Sequence, residues 1–221
     1  LLAENAPAVD LVQPELMLHS TTEGISRFQA DVLAIGCGLG TSNAACKLLY
    51  EALKFKAPIV LDADALNLLA SHPDLQDDLR ARKHPSVLTP HPGEAARLLG
   101  ISTALVQSSR IVSAQTLAER MQCSVVLKGA DSICVAPSGK TFVNKTGNPG
   151  MSSAGMGDVL TGMVAAFIAQ GMSADDALLL AVHLHGAAGD ALAEQGIAVG
   201  MTATEVTERA RWLLNQWTSK L

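Results

Sequence analysis

The chain has 221 residues, a net charge of −5 at pH 7 and 3% aromatic side chains. That length suits one α/β domain with a sizeable core, and the lack of a basic cluster or aromatic surplus argues against a nucleic-acid surface, leaving small molecules as the expected partners. The four cysteines, Cys37, Cys46, Cys123 and Cys134, form no CxxC pair, so they read as reduced packing residues and not as a disulfide framework or a zinc site.

The longest apolar run, within 159–169, is too short to span a bilayer, and the N-terminus lacks the basic-then-apolar order of a signal peptide. A soluble, cytoplasmic protein is expected. Residue 1 is leucine, which points to a fragment, a processed product or a trimmed chain. In chain order, 31–36 reads as a strand, 43–53 as a helix capped by Ser42, and 58–64 as a second strand followed by a short helix from Ala65. A third strand covers 86–90, and the helix after it runs from near Gly93 to Gly100. A longer helix over 109–121 leads to a strand over 124–129. The stretch 133–143 reads as a hairpin turning at Pro137-Ser138-Gly139. Helices over 158–170, 174–194 and 203–218 complete the chain.

Near-continuous apolar strands alternating with helices imply a parallel sheet covered on both faces, with ligands bound outside the carboxyl ends of the strands. The residues that follow the strands fit such a rim: Gly36 to Gly40, Asp62-Ala63-Asp64, Thr89 to Glu94, and Lys128 to Asp131. A glycine-rich run over 147–157 then leads directly into Asp158 and an apolar helix. Backbone N–H groups of Gly155, Met156 and Gly157, added to the positive end of that helix, make an anion loop, and an acid beside it is placed to deprotonate an attacking hydroxyl. Asp62 and Asp64 share one face of an extended segment and read as substrate or magnesium contacts, or, for Asp64, as a helix cap. Prolines at 90 and 92 stiffen the loop that carries His91. His183 and His185 lie two positions apart on a helix and point in different directions, as packing histidines would.

PELM (14–17), IGCGLG (35–40), LDADALNLLA (61–70), VLTPHPGEAARLLG (87–100), VVLKGAD (125–131) and the glycine-rich stretch 147–171 together resemble one family. It is that of the nucleotide-dependent dehydratases, ribokinase-like proteins that repair hydrated NADH and NADPH. The GxGD element alone would say only ribokinase-like. The resemblance implies a three-layer α/β/α sandwich with a mostly parallel central sheet, read as one dehydratase domain over 1–221 that lacks the family's N-terminal βαβ portion. Its first strand or strands would be missing, leaving either an unpaired edge or the apolar face of helices that should have covered it. Cys37 stands where the family commonly has proline.

The implied reaction converts (6S)-hydrated NADH or NADPH and ADP into NAD(P)H, AMP and phosphate. Asp158 would be the catalytic base at the substrate hydroxyl, with Gly38 and His91 on the hydrated dinucleotide. Lys128, Gly129, Ala130, Asp131 and Ser132 would line ADP, with Gly157 closing over its phosphates. Magnesium would come with the nucleotide, held largely by phosphate and water and by no named protein ligand. The resemblance also implies a homo-oligomer, with neither membrane nor nucleic acid as a partner. An ATP-dependent small-molecule kinase of the same superfamily, or a nucleotide-binding fragment without turnover, are the alternatives. TPHPGE beside LDADALN favours the dehydratase.

Overall fold

A computed structural model describes residues 2–3, 7–20 and 24–219. Six strands form the central sheet in chain order: β3 (Leu33–Ile35), β4 (Ile59–Leu61), β5 (Ser86–Leu88), β6 (Ser124–Leu127), β7 (Ile133–Val135) and β8 (Thr141–Val143). The first four pair in parallel, and β7 and β8 then reverse as a hairpin. A separate parallel pair, β1 (Leu2–Ala3) with β2 (His19–Ser20), lies outside that sheet and was not legible in the sequence. β3 is an edge of the six-stranded sheet.

Alternation along the strands builds the two outer layers, because successive side chains leave opposite faces. Ile59, Leu61, Leu88, Val125 and Leu127 join one buried cluster with Leu49, Leu66, Leu75, Leu98, Val106 and Leu117. Those helical residues belong to α1 (Asn43–Leu53), α2 (Ala63–Ser71), α3 (Pro73–Arg80), α4 (Pro92–Leu99), α5 (Thr103–Ser108) and α6 (Arg110–Met121). Val60, Val87, Val126 and Cys134 point the other way, into a second cluster with Leu160, Val164, Leu178, Val182 and Val206. These come from α7 (Met156–Ala169), α8 (Ala174–Glu194) and α9 (Ala203–Thr218). The result is the three-layer α/β/α sandwich with a mostly parallel sheet. Both faces of the central strands are covered, which explains their unbroken apolar sequences.

The helix starts differ from expectation in four places, one of them α7, which opens at Met156 and not at 158. α2 begins at Ala63, two residues early, because Asp62 and not Asp64 is its cap. Pro73 ends one helix and opens another at its first position, separating α2 from α3. Ser102 caps the short α5, an element that the sequence pattern did not reveal. The hairpin is as expected, with Gly139 in the left-handed region at φ 84°.

Consecutive strand ends are stitched into one rim. Asp62 N–H donates to Ile35 O, Thr89 N–H to Leu61 O, and Lys128 N–H to Pro90 O. Gly36 makes the first of these turns possible: its φ is 127°, and a Cβ there would stand 1.8 Å from the Asp62 carbonyl oxygen. Gly36→Ala is therefore expected to destabilise the fold by roughly 3 kcal/mol or more. Urea unfolding of the variant measures this, and a loss below about 1 kcal/mol would show that the turn yields.

Candidate active site

The floor of the rim is an ion pair. Asp62, 1% exposed at the end of β4, accepts from the Lys128 ammonium at 2.7 Å and from Ala63 N–H at 2.9 Å. Its second oxygen accepts from the Thr161 hydroxyl of α7 at 2.8 Å. One carboxylate thus ties together β4, β6, α2 and α7. Burial pushes the Asp62 carboxyl up, but the Lys128 charge and the hydrogen bonds from Lys128 and Thr161 outweigh it and hold the group below its usual range. Asp64 is not the cap foreseen for it: it accepts from Gly40 N–H at 2.8 Å and from the Asn67 amide at 3.3 Å, pinning the end of the first glycine loop.

The glycine-rich loop before α7 is placed by close backbone approach. Gly186 and Gly189 of α8 let the preceding loop lie directly on the helix: a Cβ at Gly186 would meet Thr146 Oγ1 at 2.3 Å, and one at Gly189 the Met151 sulfur at 2.3 Å. Asp190, one residue on, accepts from Gly147 N–H at 2.8 Å and the Asn148 amide at 3.0 Å. Ser153 donates to Met201 O at 2.8 Å. Gly155 then turns the chain at φ 83° and opens α7 with no side-chain cap. First-turn N–H groups of Met156, Gly157 and Asp158 have no partner within the helix and carry its positive end. His185, under this loop, hydrogen-bonds Met156 backbone and is pushed down to about 4 chiefly by burial, so it is neutral. Its Nε2 is buried without a hydrogen-bond partner. His183 is exposed beside the Trp217 ring, and the two histidines do diverge.

Lys128, Gly157, Asp158, Asp62 and Cys37 converge. The Lys128 ammonium lies 3.1 Å from where a Gly157 Cβ would stand, so any side chain at 157 would press on it. Donor atoms of Cys37, Asp62 and Asp158 lie within 4.8 Å of one another. Cys37 therefore departs from the packing role read for all four cysteines. The residue is exposed, and its thiol, hydrogen-bonded to Asp158, is pushed up to about 12, first by burial of the thiol and then by the acid. Gly38, at φ 66° with open space where its Cβ would be, adjoins it.

His91 caps α4, a role usually taken by smaller side chains. Its Nδ1 accepts from Gly93 and Glu94 N–H, and Glu94 returns the bond to His91 N–H at 2.7 Å. Burial first, then the Lys128 and Arg97 charges, lower its affinity for a proton. The neutral ring faces the same charges as the rest of the rim.

At the end of β6, Ser132 donates to Gly129 O at 2.9 Å, closing the 128–132 turn, with Ala130 exposed. Asp131, at φ 53°, is paired with Lys145 at 3.1 Å and exposed. Sequence reasoning missed Thr161, Arg110 and Asp190. Thr161 had a signal, since it shares a helical face with Asp158 three positions earlier.

A hard cation suits this site only in part. Asp62 is spent on Lys128, Thr161 and Ala63, and a neutral thiol is a poor magnesium ligand. Asp158 is the exposed carboxylate of the cluster, which fits magnesium brought by phosphates and water better than a protein cage. A cleft of about 470 Å³ at the other end of the sheet, lined by Lys54, Phe55, Arg82 and His84, takes no part in the rim.

A covered parallel sheet whose strand ends meet a glycine turn and an acid-bearing helix is the architecture of the ribokinase-like proteins. The family model described as NAD(P)H-hydrate dehydratase matches residues 2–211. The chain belongs to this family. It is 40% identical to the ADP-dependent (S)-NAD(P)H-hydrate dehydratase of Neisseria meningitidis, over 94% of this chain and 71% of that protein. It is 41% identical to the bifunctional NAD(P)H-hydrate repair enzyme Nnr of Escherichia coli, over 96% of this chain but 41% of that protein. The Bacillus subtilis ADP/ATP-dependent NAD(P)H-hydrate dehydratase, crystallised with ATP/Mg2+, superposes with a TM-score of 0.83 at 29% identity, over 93% of this chain and 73% of that one.

Removing one partner of the floor ion pair strands a buried charge. Lys128→Met is expected to destabilise the fold by about 3–5 kcal/mol, and Asp62→Leu added to it should recover part of the loss. The pH dependence has a definite sign. Because the Asp62 carboxyl is held below its usual range, its contribution is complete above about pH 4 and is lost as pH falls through the lower folded value. In Asp62→Asn the acid limb of a stability-against-pH curve should flatten. An unchanged limb would mean that the pair does not stabilise the fold.

Proposed function

We propose that this chain carries out the ADP-dependent dehydration of (6S)-hydrated NADH and NADPH, giving NADH or NADPH, AMP and phosphate. The observation that carries the reading is the position of Asp158 in the first turn of α7, directly after the left-handed Gly155 and within 4.8 Å of Cys37 and Asp62 donor atoms. A phosphoryl group held by the Gly155 to Gly157 loop and a hydroxyl approaching from the Gly38 side would meet at that carboxylate. Residues 1–221 are read as one dehydratase domain, working in a cytoplasm that keeps its cysteines reduced.

Water leaves carbon poorly, so the hydroxyl on C6 of the damaged ring is first made a phosphate ester. Asp158 takes the hydroxyl proton as the oxygen attacks the terminal phosphorus of ADP, and AMP departs. N–H groups of the anion loop stabilise charge on the transferring oxygens. The ring nitrogen lone pair then expels phosphate from C6, and loss of the C5 proton restores the dihydronicotinamide double bond. Lys128 and Gly129 would hold the nucleotide end, and Gly38 and His91 the dinucleotide. Magnesium, when bound with the nucleotide, would neutralise part of the phosphate charge.

Incubation with hydrated NADH, ADP and magnesium should regenerate the absorbance of NADH, with AMP and phosphate in equal amounts. Absence of turnover with either ADP or ATP would overturn the reading. In Asp158→Asn, turnover should fall on the order of 10²- to 10⁴-fold while ADP affinity is nearly kept. His91→Ala should weaken the dinucleotide more than ADP; a larger effect on ADP would mean that the two halves of the cleft are exchanged.

A further inference from the structure

The nucleotide reading assigns Lys128 as the cation at the end of β6, but the structure gives most of that charge to Asp62. Lys128 is 19% exposed in its side chain and sits 2.7 Å from a buried carboxylate. A second cation stands at the same strand end. The Arg110 guanidinium, from the first residue of α6, donates to Gln107 Oε1 at 3.1 Å, to Leu127 O at 3.2 Å and to Lys128 O at 3.4 Å. Its Nη1/Nη2 edge is turned toward Gly129, whose φ is 136°: a Cβ there would come within 3.1 Å and 3.2 Å of its two terminal nitrogens. Among the described residues Arg110 has no carboxylate in ion-pair contact. Its nearby acid, Asp131, is engaged by Lys145.

We propose that Arg110 is a nucleotide-binding residue, the cation that takes a phosphate of the nucleoside diphosphate lying over Gly129. Backbone carbonyls and the neutral Gln107 amide oxygen fix the plane and position of the guanidinium without neutralising it, so its charge stays uncompensated for an anion lying over Gly129. Gly129 is then explained twice, by its positive φ and by the need for nothing larger between Arg110 and the ligand. The inference rests on the nucleotide reading of 128–132 and adds to it which residue supplies the uncompensated charge.

Calorimetric titration of adenosine, AMP and ADP into the wild-type chain, Arg110→Gln and Arg110→Lys tests it, with circular dichroism as the check on folding. Arg110→Gln should raise the ADP Kd on the order of 10- to 100-fold, raise that of AMP less, and leave that of adenosine unchanged. Arg110→Lys keeps the charge without the planar fork and should fall between the wild type and Arg110→Gln. It carries the test alone should the glutamine variant fail to fold. Equal losses for adenosine and ADP would mean that the guanidinium only props the strand end, and an unchanged ADP Kd would place the phosphates elsewhere; either result overturns the proposal. A wild-type chain that binds none of the three refutes the nucleotide reading itself, which is a distinguishable result.

Discussion

The Asp62 carboxylate is a buried charge, and the site is arranged around keeping it satisfied. A carboxylate removed from water is tolerated only with a countercharge and hydrogen bonds. Here these come from Lys128 on one neighbouring element, Thr161 on another and the opening turn of α2. The same bonds set the distance between the end of β6 and the start of α7. That distance matters for the proposed chemistry, because the first holds the proposed nucleotide segment and the second holds the proposed anion loop and Asp158. Lys128 is consequently more of a structural cation than a free one.

The cluster also separates the charges by task. Asp62 is sealed and committed, whereas Asp158 is exposed at the positive end of a helix with the Cys37 thiol as a neighbouring donor. Two carboxylates so close would repel strongly if both were bare. The ammonium beside Asp62 offsets that conflict. Rigidity comes from small residues on α8: Gly186 and Gly189 admit the loop backbone, and Asp190 clamps it.

The layers and the rim were legible before any coordinates, for a physical reason: strand alternation and helical periodicity are local patterns that record which faces are buried. The runs at β4, β5 and β6 announced a covered sheet, and the polar residues after them marked its carboxyl edge. Ser42 was visible as a cap because capping is decided within four residues, and the helices that Ser173 and Thr202 cap began where expected. Short elements failed this test. α3 and α5 hold too few turns to show a period, and the two-residue strands β1 and β2 carry no pattern.

Sequence by itself determined the fold class, the family resemblance and the location of Asp158 at the mouth of a helix behind a glycine turn. It offered Asp62 and Asp64 as ligands and Asp64 alone as a helix cap. Tertiary structure separated them, since what decides is whether Lys128, 66 residues away, reaches the carboxylate. The same holds for Cys37, which composition classed with the packing cysteines and which the fold places against Asp158. Arg110 is the extreme case, an ordinary helix-start arginine in sequence. Only the approach of β6 puts two strand-end carbonyls and a bare glycine under its guanidinium, because contacts between distant segments depend on packing that no local pattern encodes.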